Sequence, residues 1–310
     1  MTTALITHAA CIEHRTPPGH PERSERLESV LAALNADEFA SLARYEAPKA
    51  TEEELVRVHD GGYVREVLAA VPTTGYVQFD GDTYGSPGTG EAVLRAAGAL
   101  VKGVDLVMRG EAANAFCAVR PPGHHALPDQ AMGFCLFNNI AVGAAYARAA
   151  YGIKRVAVVD FDVHHGNGTQ DMFYSDPDLF YAATHQSPLY PGTGRRSETG
   201  VAANILNLPL SPGSGSAQFR AAFENELIPA LKRFRPELIL ISAGFDAHRD
   251  DPLAQLRLDE EDFFWATKAV CALAAEVCGG RVVSTLEGGY DLDALAASAG
   301  SHVRALMAAS

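Results

Sequence analysis

The sequence predicts an α/β protein whose strands form one parallel sheet, and three observations carry that reading. Short runs rich in β-branched and apolar residues recur along the chain. Several are apolar at consecutive rather than alternate positions, as strands buried on both faces require. Segments with apolar residues at helical spacing separate them, the alternation expected of an α/β fold. No internal repeat, low-complexity tract or long Pro/Ser-rich linker divides the chain. Residues 1–310 therefore read as a single domain, although the length alone, at roughly 150 residues per domain, favours two.

In chain order, a first strand is expected at 3–7 (Thr-Ala-Leu-Ile-Thr), followed by a helix marked by Leu27, Val30, Leu31 and Leu34. Thr51-Glu52-Glu53-Glu54 fits a capping box, in which hydroxyl and carboxylate satisfy the orphan N–H groups of a helix start. Strands follow at 115–120, 155–161, 179–184 and 204–209. Phe219, Phe223, Leu227, Leu231 and Phe234 place a helix over 217–234, and Pro229, lacking an N–H, predicts a kink in it. A strand at 237–243 precedes a helix marked by Phe263, Thr267, Val270, Leu273 and Val277, which Gly279-Gly280 ends. The last strand is expected at 281–286.

Composition narrows the function. Lys plus Arg number 25 against 38 Asp plus Glu, a net charge of -13, which opposes binding to nucleic acid or anionic lipid and mildly favours a cationic substrate. The 5 cysteines have neither a C-x-x-C pair nor zinc-thiolate spacing and read as reduced thiols. The start lacks the basic and apolar regions of a signal peptide, and no run approaches the roughly 18 apolar residues of a membrane span, so the expected location is cytoplasmic.

The chemistry is concentrated where strands end. Asp160-Phe161-Asp162-Val163-His164-His165 follows the strand at 155–161. Strand periodicity puts Asp160, Asp162 and His164 on one side at the carboxyl end, where open α/β sheets place ligands. Aspartate and histidine also cap strands and helices, but so many ionisable groups at a buried strand end are costly unless a cation binds them. A third ligand for a divalent metal is Asp246, in Gly244-Phe245-Asp246-Ala247-His248. His248 is a rival, read more readily as a salt-bridged loop residue. Arg120-Pro121-Pro122-Gly123-His124-His125 supplies two adjacent histidines able to transfer protons separately. Glu287-Gly288-Gly289-Tyr290 offers a tyrosine on a glycine turn.

Taken together, Pro-Pro-Gly-His-His, Asp-Val-His-His-Gly-Asn-Gly-Thr-Gln-Asp, Gly-Phe-Asp-Ala and Glu-Gly-Gly-Tyr resemble the motifs of the histone deacetylase superfamily. His20-Pro21-Glu22-Arg23 with Arg26, Gly133-Phe134-Cys135 with Asn138-Asn139, and Asn167 are similar to its class II branch, which includes bacterial amidohydrolases and acetylpolyamine deacetylases. The resemblance runs from about His14 to Tyr290. It implies an arginase/deacetylase fold, a single parallel sheet of about eight strands between helices. It also implies one catalytic zinc and a structural potassium ion.

By resemblance, Asp162, His164 and Asp246 are the zinc ligands. His125 is the general base and His124 the electrostatic partner or acid. Asp160 orients His124 and contributes to a potassium site, and Asn167 stands behind His125, where some relatives have aspartate. Tyr290 donates to the oxyanion. Phe134, Tyr190 and Leu253 wall an acyl-lysine tunnel, with Gly133 supplying backbone acceptors.

Two departures stand out. Ala183 replaces a serine ligand of potassium, and Tyr190 stands where many relatives carry phenylalanine. The expected reaction is zinc-dependent hydrolysis of the acyl amide of acetyl-lysine, an acetylpolyamine or a related small amide. Glu22, Asp80 and Asp82 are expected in rim loops, compatible with any of these and equally with a solvated surface. The rivals are a catalytically silent acyl-lysine or polyamine binder, and an arginase-type ureohydrolase, whose second-metal aspartate is Gly166 here. A homo-oligomer is compatible with the family.

Overall fold

The computed structural model describes residues 1–310. Its strands are β1 (Thr3–Thr7), β2 (Ala43–Glu46), β3 (Val77–Gln78), β4 (Tyr84–Gly85), β5 (Asn114–Cys117), β6 (Val156–Asp160), β7 (Leu179–Gln186), β8 (Ile205–Leu210), β9 (Leu238–Ala243) and β10 (Val282–Leu286). Eight of them form one sheet in the order β2-β1-β5-β10-β9-β6-β7-β8, with every pairing parallel. The remaining two, β3 and β4, make a small antiparallel hairpin.

Strands β5, β6, β7, β9 and β10 are buried at every position, which explains why apolar residues occupy consecutive positions in them. Helices cover the sheet in two groups. Ser24–Ala33 and Glu260–Cys278 pack on Leu292–Ala308, and Thr89–Met108 packs on Asn139–Tyr151. The class and the single parallel sheet match the expectation.

Details differ in instructive ways. The edge strand β2 (Ala-Arg-Tyr-Glu) was not expected, because its half-buried, half-exposed alternation is short and charged. The helix expected over 217–234 is instead Ser216–Ala222 and Ile228–Phe234, joined by a π-helical turn at Phe223–Leu227. That wider turn absorbs the missing N–H of Pro229, which falls in the first turn of the second segment. The capping box at Thr51 forms, but it starts only the single turn Glu52–Leu55. Gly279 ends its helix in the left-handed conformation, at φ 64°.

The four motifs, scattered over the sequence, follow β5, β10, β9 and β6, which are neighbours at the centre of the sheet. Their carboxyl ends converge where an α/β sheet presents ligands.

Candidate active site

Strand β6 ends at Asp160, so Asp162 and His164 lie on the loop beyond it rather than on one strand face. That corrects the periodicity reading: Asp162 and His164 meet Asp246, which follows β9, while Asp160 turns to His124. The His164 Nδ1 lies 3.1 Å from Asp162 Oδ1 and 3.1 Å from Asp246 Oδ2. One donor atom from each residue falls within 4.8 Å of the others, and all three side chains are buried.

Main-chain N–H groups fix the carboxylates: Gly288 donates to Asp162 Oδ2 (2.8 Å), His164 to Asp162 Oδ1 (2.9 Å) and Val163 to Asp246 Oδ1 (2.8 Å). A Cβ at Gly244 or Gly288 would overlap these carboxylates, so the cradle requires glycine at both. Burial opposes charge on His164, but hydrogen bonds to Asp162 and Asp246 push it up to about 10. Burial and the charge of Asp162 raise Asp246. Two buried carboxylates and an imidazole aimed at one point are the donor set of a divalent transition metal with an open position. The residues fit such an ion. His248, the rival, sits outside this set, buried within 3.7 Å of Asp250 and 3.6 Å of Glu260.

The two adjacent histidines have different partners. His124 Nδ1 is 2.9 Å from Asp160 Oδ2. Burial disfavours its charge, yet the Asp160 and Asp162 carboxylates overcome that and push it up to about 10. His125 Nδ1 is 2.8 Å from Asn167 Oδ1. Burial and the neighbouring charges of His124 and His164 hold it well below the ordinary histidine value. With Nδ1–H donated to the Asn167 carbonyl, Nε2 of His125 is the free base.

The Tyr290 loop is held from beneath. Asp251 Oδ2 accepts the Tyr290 N–H (2.8 Å), and Arg26 donates to the carbonyls of Glu287 (2.5 Å) and Gly289 (2.5 Å). The Arg26 guanidinium also lies 4.8 Å from the Tyr290 ring centroid. Burial, partly offset by Arg26, keeps the phenol well above its ordinary value, so it remains a donor.

Glu287, quoted in the motif but given no role, accepts the Gly123 N–H (2.7 Å) and the His124 N–H (3.2 Å), pinning the histidine loop. Glu22 is corrected outright. It is not a rim residue but is 0% exposed, paired with Arg120, Arg26 and His14. Its partner Arg120 lies 98 residues away, which no local pattern signals.

A family profile for the histone deacetylase domain matches residues 20–306. The chain belongs to the histone deacetylase family. It is 42% identical over 274 residues to a histone deacetylase-like amidohydrolase of Pseudomonas aeruginosa, spanning 87% of this chain and 71% of that one. It is 41% identical to histone deacetylase 14, chloroplastic, of Arabidopsis thaliana, spanning 93% and 73%. The crystal structure of the HDA15 HD domain superposes with a TM-score of 0.93 at 35% identity, covering 99% of this chain and 88% of that one. The chain is thus a deacetylase/amidohydrolase of this family, with a buried Asp-His-Asp metal site.

In this family member, the aromatic side chains expected to wall the tunnel gather above the metal site. Tyr190 stands edge-on to His125 (5.3 Å between centroids) and near His164 (6.3 Å). Phe134 stands edge-on to Tyr290 (5.9 Å) and His20 (4.8 Å). Tyr190 and Leu253 are 40% and 36% exposed. Burial first, then the charges of Asp82 and Asp80, raise the Tyr190 phenol. Gly133 packs against the His125 ring, and its carbonyl already accepts from the Cys135 thiol at 3.3 Å.

All five cysteines are free and buried, and no helix is long and apolar enough to cross a membrane.

Proposed function

We propose that the chain is a zinc-dependent deacylase that hydrolyses the acyl amide of acetyl-lysine, an acetylpolyamine or a related small amide, within a single catalytic domain spanning 1–310. The observation that carries this reading is the different partners of the two buried histidines beside the metal cluster, His124 Nδ1 on the Asp160 carboxylate and His125 Nδ1 on the Asn167 carbonyl, which favour the charged form of the first and the neutral form of the second. Amide hydrolysis needs both forms at once: a base for the attacking water and a cation facing the developing charge.

A zinc ion held by Asp162, His164 and Asp246 would supply Lewis acidity to the amide carbonyl and to the attacking water. His125 accepts the proton of that water at Nε2 as the new C–O bond forms. The Tyr290 hydroxyl donates to the carbonyl oxygen as it becomes negative, a contribution of about 3 kcal/mol for one oxyanion donor. His124, positively charged and anchored to Asp160, offsets the same charge and supplies a proton to the departing amine. The C–N bond then breaks to give a carboxylate and a free amine. Phe134, Tyr190 and Leu253 exclude water along the acyl-bearing chain, and Gly133 lines the tunnel beside His125.

The test is hydrolysis by the zinc-loaded protein of three amides in one format: an acetyl-lysine peptide, an acetylpolyamine and a trifluoroacetyl-lysine peptide. Turnover of at least one, abolished by chelation and restored by zinc, is expected, and the ranking defines what the tunnel admits. No turnover of any of them with one zinc per chain would overturn the assignment.

A further inference from the structure

Strand β7 carries a tyrosine in the middle of its buried run, and the mechanism above gives it no role. Tyr181 is 0% exposed. A buried phenol needs a partner for its hydroxyl, and here the partners are informative. The Tyr181 hydroxyl lies 3.0 Å from Asp160 Oδ2, the same oxygen that sits 2.9 Å from His124 Nδ1. The Gly166 N–H donates to that hydroxyl at 3.0 Å.

The direction of each bond follows from the groups themselves. The peptide N–H can only donate and an ionised carboxylate can only accept, so the hydroxyl hydrogen points to Asp160. The other carboxylate oxygen, Oδ1, accepts the Asp162 N–H at 3.1 Å. Both oxygens of a fully buried carboxylate are therefore pinned, one by the metal-ligand loop and one jointly by Tyr181 and His124. Because β6 and β7 pair with Val158 opposite Tyr181, the phenol reaches Asp160 from the neighbouring strand and not from the loop it steadies.

We infer that Tyr181 is a positioning residue for the hydrolysis. Its hydroxyl holds the Asp160 carboxylate in the orientation that anchors His124, and ties that carboxylate through Gly166 to the loop bearing Asp162 and His164. The inference rests on the role proposed for His124. A tyrosine hydroxyl here sets how the proton-transfer pair sits relative to the metal ligands.

The test is Tyr181→Phe in the zinc-loaded enzyme, with metal content and Tm measured alongside. Loss of one hydrogen bond to a charged group predicts a kcat lower by about tenfold or more, with KM and zinc content unchanged. In a His124→Ala background the same substitution should have no further effect on kcat. An unchanged kcat in Tyr181→Phe overturns the inference, as does an equal loss in both backgrounds, which would mark a merely structural role. Should Tyr181→Phe fail to fold, 3-fluorotyrosine inserted at position 181 keeps the ring and both hydrogen bonds but strengthens the donor. It should shift kcat without shifting Tm, and an unchanged kcat overturns the inference.

A readout independent of turnover separates this inference from the proposed function. The Nδ1–H proton resonance of His124 should move on Tyr181→Phe whether or not any amide is hydrolysed. A moved resonance in a wild-type protein that hydrolyses nothing would sink the deacylase reading and leave the coupling standing. An unmoved resonance in an active enzyme would sink the coupling alone.

Discussion

His124 and His125 are neighbours in sequence with ring centroids 4.0 Å apart, both buried, yet their surroundings push their pKa values in opposite directions. The difference lies behind them. Asp160 presents a carboxylate to one ring and Asn167 presents an amide carbonyl to the other, at 2.9 Å and 2.8 Å. Burial acts against the charged form of both. A full negative charge at hydrogen-bond distance overcomes that cost, and a carbonyl dipole does not. The supporting residue thus contributes to the contrast, together with Asp162 beside His124 and the charges of His124 and His164 around His125.

The contrast can be broken most severely at the base itself. His125→Ala should lower kcat by about a thousandfold, within the range general-base catalysis spans, while zinc content measured by atomic spectroscopy stays at one per chain. Near-normal turnover would move the base elsewhere. Tyr290→Phe sharpens the comparison from outside it. Removing an oxyanion donor should cost about a hundredfold in kcat at every pH, leaving the shape of the pH–rate profile unchanged.

Asn167→Asp converts the second pair into a copy of the first. In the proposed mechanism His125 acts in its neutral form, present above its pKa and lost below it, and a carboxylate at 167 raises that pKa. The acid limb of the kcat/KM profile should therefore move to higher pH, by about one unit or more, with activity lost on the acid side and recovered on raising the pH. A limb that stays in place would show that His125 does not set it. The smallest effect belongs at Tyr190. Tyr190→Phe removes a hydroxyl from a residue 40% exposed and should change KM by about threefold or less, read as a shift in acyl preference with kcat near wild type.

What was legible in the sequence is what local pattern encodes. Each of the four motifs follows a short run rich in apolar and β-branched residues, and each follows a strand at the centre of the sheet. The ligand trio could be anticipated because Asp162 and His164 are close in sequence and Asp246 ends a similar run. What was not legible depends on partners that pattern cannot reveal. Glu22 reads as a surface acid until Arg120 closes on it, and Tyr181 reads as one more strand aromatic until Asp160 meets its hydroxyl. The β2 edge is too short and too charged to announce itself, and only the π-helical turn at Phe223–Leu227 shows how the chain absorbs Pro229.

The strand order has a consequence for how the molecule comes into being. β5 and β6, which precede the histidine pair and the first two metal ligands, do not pair with each other, because β10 and β9 lie between them. A chain emerging from the ribosome has made both flanks of the sheet, β2-β1-β5 and β6-β7-β8, before either central strand exists. The two flanks can be joined only when β9 and then β10 are inserted, bringing Asp246 and finally Tyr290. A chain that ends before β9 therefore lacks Asp246 and Tyr290, and also lacks the two strands that join the histidine pair to Asp162 and His164.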